Sequence, residues 1–257
     1  MSAPIEFSIE DNVGIAELAH PAKFNCLSTR TWELLNSFRG ECESGAARAI
    51  VIRAQGENFC TGADLDEVSA LGDNMEALRA FVSCGHNALR ALEQSPLPVI
   101  AAVQGLCLAG GLELMLAADV VIAARSARFG DQHARYGLVP GWGGSQRLPR
   151  IIGLRRALDL MFSARWLSAD EALTTGLVNH LAEDDALWLD AEQYAARLTH
   201  FSRSGLAQMK RLARDGAELA PLAALNLEAE AAALHLAGAD AALGLAAFRA
   251  RRTPQFP

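Results

Sequence analysis

A glutamate stands where the surrounding residues are those of a core. Glu113 lies within Leu106-Cys107-Leu108-Ala109-Gly110-Gly111-Leu112-Glu113-Leu114-Met115-Leu116, a run otherwise apolar or glycine. An unpaired carboxylate is costly to bury there. Low-dielectric surroundings disfavour its charged form and move its pKa toward neutrality, where a carboxylate can take and return protons. Glu113 is therefore the first candidate for proton transfer. Among six histidines, His20, His86, His180, His200 and His235 are isolated and read as surface or satisfied core residues. His133 differs, because it follows Phe129-Gly130-Asp131-Gln132 and precedes the glycine-rich loop Pro140-Gly141-Trp142-Gly143-Gly144.

Two glycine-containing segments offer a second chemistry. Phe59-Cys60-Thr61-Gly62-Ala63-Asp64-Leu65 comes soon after an apolar stretch around Val51, and Gly105 to Gly111 directly after one around Val103. Ligands of α/β sheets bind beyond the carboxyl ends of strands, where amides at helix starts face outward. Ala63 and Gly110 each adjoin a glycine that permits close backbone approach. Their two amides, converging on one oxygen, would form an oxyanion hole for developing negative charge. Tight turns explain either segment alone, and Glu113 three residues beyond Gly110 favours the functional reading. Asp64 opens a helix and reads most simply as its amino-terminal cap.

Other motifs fail on spacing: there is no dinucleotide-binding glycine fingerprint, phosphate loop, nucleophile elbow or zinc-protease motif. No metal or redox cofactor is indicated. The 257 residues, 51% hydrophobic, suffice for one large core. A net charge of −7 argues against nucleic acid as the main partner, although Arg249, Arg251 and Arg252 crowd the last helix. Five dispersed cysteines without a Cys-x-x-Cys pair predict no disulfide framework and a reducing, cytoplasmic setting. The amino terminus shows no basic region leading into an apolar stretch, so no secretory signal is expected. Glu113, Asp119 and the glycines interrupt the apolar run from Leu106 to Ala124, which argues against a membrane span.

The elements that must position these residues follow from periodicity. Ile5, Phe7 and Ile9 alternate with polar residues before an Asp11-Asn12 turn and Val13 to Leu18, which predicts an opening β-hairpin. Trp32, Leu35 and Phe38 recur at helical spacing from Thr29 to about Cys42, and a second helix is expected from about Met75 to Leu92. Ala49 to Ile52, Pro98 to Val103 and Val120 to Ala123 read as strands covered on both faces. Strands alternating with helices imply an α/β fold with a mainly parallel sheet. After Gly153 strand signals nearly stop, apart from Gly176 to Leu181, and helices such as Leu222 to Leu236 and Ala241 to Arg251 follow. Their broad apolar faces call for a partner subunit or for packing as a cap on the same chain's sheet.

In this order, Phe59 to Leu65, Gly105 to Glu113, Phe129-Gly130, Gly137 to Leu148 and the tail Ala247 to Phe256 resemble the crotonase family, the enoyl-CoA hydratase and isomerase superfamily. The resemblance covers essentially the whole chain. It implies a spiral of ββα units over about residues 1–195, a helical region over 196–257 that builds trimers or hexamers of two trimers, and a coenzyme A thioester substrate with no separate cofactor. The thioester oxygen would sit between the Ala63 and Gly110 amides. Ala22, Lys23, Phe24, Gly62, Asp64, Leu65 and Gly111 match substrate-binding positions, and Phe248 and Arg251 of the last helix would reach the coenzyme, the arginine its phosphates. Trp142 stands at a position that is small in many relatives; it narrows the acyl end of the site or packs a subunit contact.

Hydratases of the family flank the double bond with two glutamates, one activating water and one exchanging a proton with the α-carbon. Glu113 matches the first, and His133 stands at the position of the second. Histidine has an ordinary pKa of about 6.5 and can exchange protons near neutrality. The resemblance thus implies, first, a hydratase adding water to a 2-enoyl-CoA. An isomerase, an acyl-CoA hydrolase and a non-catalytic acyl-CoA-binding protein are the alternatives.

Overall fold

The computed structural model describes residues 3–257. The expected hairpin is β1 (Ile5–Glu10) and β2 (Val13–Leu18), joined through Asp11 and Asn12 at φ 48° and 65°. Residues of these types tolerate the left-handed conformation such two-residue turns need. Ser28 then caps α1 (Thr29–Ser44) by accepting the Thr31 N–H, and Trp32, Leu35, Phe38 and Cys42 form its buried stripe.

Three ββα turns follow, the first with an isolated bridge as its second strand. β3 (Ala49–Ala54) leads through the bridge at Cys60 to α2 (Leu65–Leu71), after which α3 (Met75–Gln94) returns the chain. β4 (Val99–Val103), β5 (Leu106–Leu108) and α4 (Gly110–Leu116) make the second turn. β6 (Val120–Ala124) and β7 (Arg128–Gly130) lead through a 3-10 turn at His133–Tyr136 to α5 (Gly144–Ile152). The chain continues with α6 (Leu154–Ser163), β8 (Leu167–Ser168), α7 (Ala169–Thr174), β9 (His180–Ala182), α8 (Leu187–Thr199), α9 (Arg203–Ala217), α10 (Pro221–Leu236) and α11 (Ala239–Arg249).

The main sheet runs β1-β2-β3-β4-β6-β9 and is parallel beyond the hairpin. All five residues of β4 are buried, as a sheet covered on both faces requires. A second sheet, β5-β7-β8, is not foreseeable from the sequence, because strands of two or three residues carry no readable alternation.

The carboxyl-terminal helices divide in role. α8 lies on β2, β3, β4 and β6 and is the cap on the sheet. The expected boundary at 195/196 falls inside α8, which runs from Leu187 to Thr199. α10 and α11 bury only Ala231 and Ala247, leaving Leu222, Leu225, Leu234, Leu236 and Phe248 exposed. Among the described residues no single helix is long and apolar enough to cross a membrane.

Candidate active site

The second sheet draws the two glycine segments together. Cys60 bridges Cys107, its N–H donating to the Leu106 carbonyl at 3.1 Å and its carbonyl accepting from Leu108 N–H at 2.9 Å. Leu27 binds the same segment from its other side, donating to the Gly62 carbonyl at 2.8 Å and accepting from Asp64 N–H at 2.9 Å. Ala63 lies between these bonds, with its own N–H left out of the ladder. Among the described residues neither the Ala63 nor the Gly110 amide donates to another protein group. A Cβ on Gly110 would stand 3.3 Å from the Ala63 nitrogen, and one on Gly62 would stand 3.3 Å from the Gly110 nitrogen. The two free amides are therefore neighbours.

Two local features hold the Gly110 amide there. The first turn of α4 rests on the Cys60 carbonyl, where a Cβ on Gly111 would come within 2.2 Å of the oxygen. Ala109, before the helix, is held at φ 47°, ψ −117°, a conformation that costs a non-glycine residue about 1–3 kcal/mol. Its N–H is tied to the Gly130 carbonyl at 2.9 Å and its carbonyl to Glu113 N–H at 3.0 Å, so both neighbouring segments enforce the strain.

One turn along α4, the Glu113 side chain is buried. Its Oε1 accepts from the amides of Trp142 at 2.8 Å and Gly144 at 2.7 Å, and its Oε2 lies 3.9 Å from His133 Nε2. A Cβ on Gly144 would press within 3.2 Å of Oε1, so any larger residue there would crowd the carboxylate. The other imidazole nitrogen, Nδ1, meets Asp131 Oδ1 at 2.9 Å, and Asp131 also accepts the His133 backbone N–H at 3.2 Å. A carboxylate only accepts, so Nδ1 carries a proton and Nε2 is the nitrogen presented toward Glu113.

The electrostatics raise the pKa of both groups. Burial pushes the Glu113 carboxyl above its ordinary pKa, outweighing the Gly144 amide, the His133 charge and the Trp142 amide, which pull it down. Burial opposes a charge on His133, yet the Asp131 hydrogen bond and charge, with Glu113, carry its pKa above the ordinary value. Two groups that exchange protons thus face each other.

The remaining predicted residues fall into two sets. Ala22 and Lys23 form a 3-10 turn, and the Phe24 carbonyl accepts Thr61 N–H at 3.2 Å, which places this segment beside Gly62 to Leu65. Asp64 caps α2 through Asp66 and Glu67 N–H at 3.0 and 3.3 Å, and Lys23 Nζ lies 2.7 Å from Asp66 and 3.4 Å from Asp64. Phe248 and Arg251 are exposed on and after α11, without hydrogen bonds or ion pairs to that region among the described residues. The Trp142 ring is buried in its own chain, against Trp32 at 4.9 Å and Phe81 at 5.4 Å, which removes the alternative of a subunit contact. Its six-membered ring would meet a Cβ on Gly110 at 2.5 Å, so it borders the Gly110 amide. Sequence reasoning missed Asp131, although an aspartate two residues before the singled-out histidine was the available signal.

Residues 8–257 match the family model described as enoyl-CoA hydratase/isomerase. The chain belongs to this family. It is 35% identical over 254 residues to a probable enoyl-CoA hydratase of Bacillus subtilis, covering 98% of each chain. With a crotonyl-CoA hydratase of Syntrophomonas wolfei it shares 32% identity, covering 96% of this chain and 95% of the other. Among solved structures, an enoyl-CoA hydratase from a Polaromonas species superposes with a TM-score of 0.95 at 29% identity, over 98% of this chain and 99% of that one. Another from Bacillus anthracis gives 0.93 at 33% identity, over 98% of both. The α/β fold and the carboxyl-terminal helices are thus those of family enzymes.

Proposed function

We propose that the protein is an enoyl-CoA hydratase whose acid–base pair is Glu113 and an Asp131-supported His133. The observation that carries this reading is the 3.9 Å approach of a buried carboxyl and a partly buried imidazole beside two unpartnered amides. The thioester oxygen of a 2-enoyl-CoA accepts from Ala63 and Gly110 N–H. Glu113 takes a proton from water as its oxygen bonds to C3, and the double-bond electrons move onto the thioester oxygen as an enolate. His133 then delivers the Nε2 proton to C2, completing a 3-hydroxyacyl-CoA. Turnover leaves Glu113 protonated and His133 neutral, close enough for the proton to pass back with a small side-chain movement.

Lys23, Phe24 and Leu65 line the coenzyme's approach to this site, and the Trp142 ring beside Gly110 narrows the acyl end. The exposed leucines of α10 and α11 favour a trimer or a hexamer of trimers, with Phe248 and Arg251 brought to the coenzyme by assembly. Free thiols at all five cysteines, with Cys60 pushed up to about 12 and Cys26 to about 11 by burial, fit a reducing, cytoplasmic setting. The test is loss of enoyl-thioester absorbance on adding pure protein. Glu113→Gln should abolish that loss and leave acyl-CoA binding intact; unchanged turnover in that variant would sink the assignment.

A further inference from the structure

Behind the loop that grips Glu113 lies an arginine the reaction does not use directly. Arg147 Nη1 donates to the Trp142 carbonyl at 2.6 Å. Its Nε and Nη2 make a two-pronged bond to Glu93 on α3, at 2.7 and 2.6 Å. A guanidinium offers this planar set of donors, and an ammonium does not. The side chain folds back over its own helix start: a Cβ on Gly143, at φ 101°, would lie 2.1 Å from Nη1. The guanidinium therefore occupies the side of the loop that glycine leaves open.

The bonded carbonyl is well placed. Trp142 C=O belongs to the peptide unit between the two amides that hold Glu113 Oε1, and two glycines follow it. Fixing that unit removes the freedom the glycines would otherwise give. We propose that Arg147 is a positioning residue for Glu113, one that aims the Trp142 and Gly144 amides at the carboxylate by holding the Trp142 carbonyl from behind the loop. Its consequence is measurable as the proton affinity of Glu113, because amides that bond the charged form favour it.

The anchor extends into the carboxyl-terminal region. Glu93 also accepts from Arg214 of α9 at 3.3 Å, Arg214 reaches Asp119 at 2.7 Å, and Asp119 holds Lys210 of α9 at 2.6 Å and Val99 N–H at 2.8 Å. The groups facing Arg147 are thus Glu93 from α3 and, across it, Arg214 from α9. Those facing Glu113 are His133, Asp131 and the two loop amides.

The inference rests on Glu113 being the base that activates water, so its test uses two readouts. The Glu113 carboxyl is titrated by carbon NMR, its signal assigned by disappearance in Glu113→Gln, in the parent, Arg147→Met, Arg147→Lys and Glu93→Gln. In Arg147→Met the midpoint should rise by about one unit or more, and Arg147→Lys should recover part of that shift. Hydration of a 2-enoyl-CoA should fall about 10-fold or more in kcat with KM within about two-fold, as for a group acting only on the reacting step. If Arg147→Met does not fold, Glu93→Gln, which keeps the carbonyl bond but frees the guanidinium, should raise the midpoint by a smaller amount. A midpoint unmoved in the folded variants overturns the proposal whatever happens to the rate. A midpoint that moves in a protein unable to hydrate enoyl-CoA upholds it and removes the hydratase reading instead.

Discussion

Replacing Asp131 by asparagine tests the histidine side of the pair. The substituted amide keeps an acceptor for the His133 Nδ1–H and backbone N–H, bonds of 2.9 and 3.2 Å in the parent, but removes the negative charge. A buried hydrogen bond to a charged group contributes about 1.5–3 kcal/mol. The neutral bond that remains is worth about 0.5–1.5 kcal/mol, so at about 1.4 kcal/mol per pKa unit the exchange lowers the His133 pKa by about one unit. In the parent that pKa is raised, and in the proposed mechanism protonated His133 is the acid, so activity should be lost as pH rises through it. The alkaline limb of kcat/KM should therefore move down by about one pH unit in Asp131→Asn. The acid limb, set by Glu113, should move less, because weakening the His133 charge and removing the Asp131 charge act on it in opposite directions. The assay is initial rate of enoyl-thioester absorbance loss across pH, with imidazole titration by NMR as the independent check. An unmoved alkaline limb, with the imidazole midpoint also unmoved, would refute the reasoning.

Further outcomes follow from the same geometry. His133→Glu alone should not raise hydration, because the new carboxylate meets Asp131 as well as Glu113; combined with Asp131→Asn it should exceed the single variant, and equal rates in the two would contradict the crowding of three carboxylates. Gly110→Ala drives a Cβ into the Trp142 ring and beside the Ala63 amide, and kcat should fall about 10²–10³-fold, as when an oxyanion donor is lost. Gly85→Ala places a Cβ 2.5 Å from Trp142 Nε1 and 2.7 Å from Trp32 Nε1; denaturant unfolding should show a loss of about 1–3 kcal/mol, the cost of overpacking a core.

Five of the main sheet's six strands are legible in the sequence because they run for five or six residues, β3, β4 and β6 among them mostly apolar and bounded by helical periodicity, whereas β9 has only three. Glu113 is legible because a carboxylate in an apolar run is conspicuous. β5, β7 and β8 are illegible at two or three residues each, yet β5 takes the bridge from Cys60 that brings Ala63 beside Gly110, and β7 delivers Asp131. Trp142 draws attention by its side chain, whereas its contact with Glu113 is made by a backbone N–H that any residue except proline would supply. Arg147 and Glu93 stand 54 positions apart, so no local pattern could pair them.

The proposed anion-binding half of the site is written in main chain, at Ala63 and Gly110, with Gly111 pressed on the Cys60 carbonyl. Such a device cannot be tuned by side-chain exchange; substitutions there can only spoil it. The proposed proton-carrying half is made of side chains at 113 and 133, with 131 supporting the second, each replaceable without rebuilding the backbone. On that reading, divergence of this scaffold toward new reactions has one open route: the side chains at 113, 131 and 133 can drift while the main-chain amides stay fixed. A saturation scan should show that asymmetry, with positions 110 and 111 intolerant of nearly everything, and position 133 exchanging one activity for another.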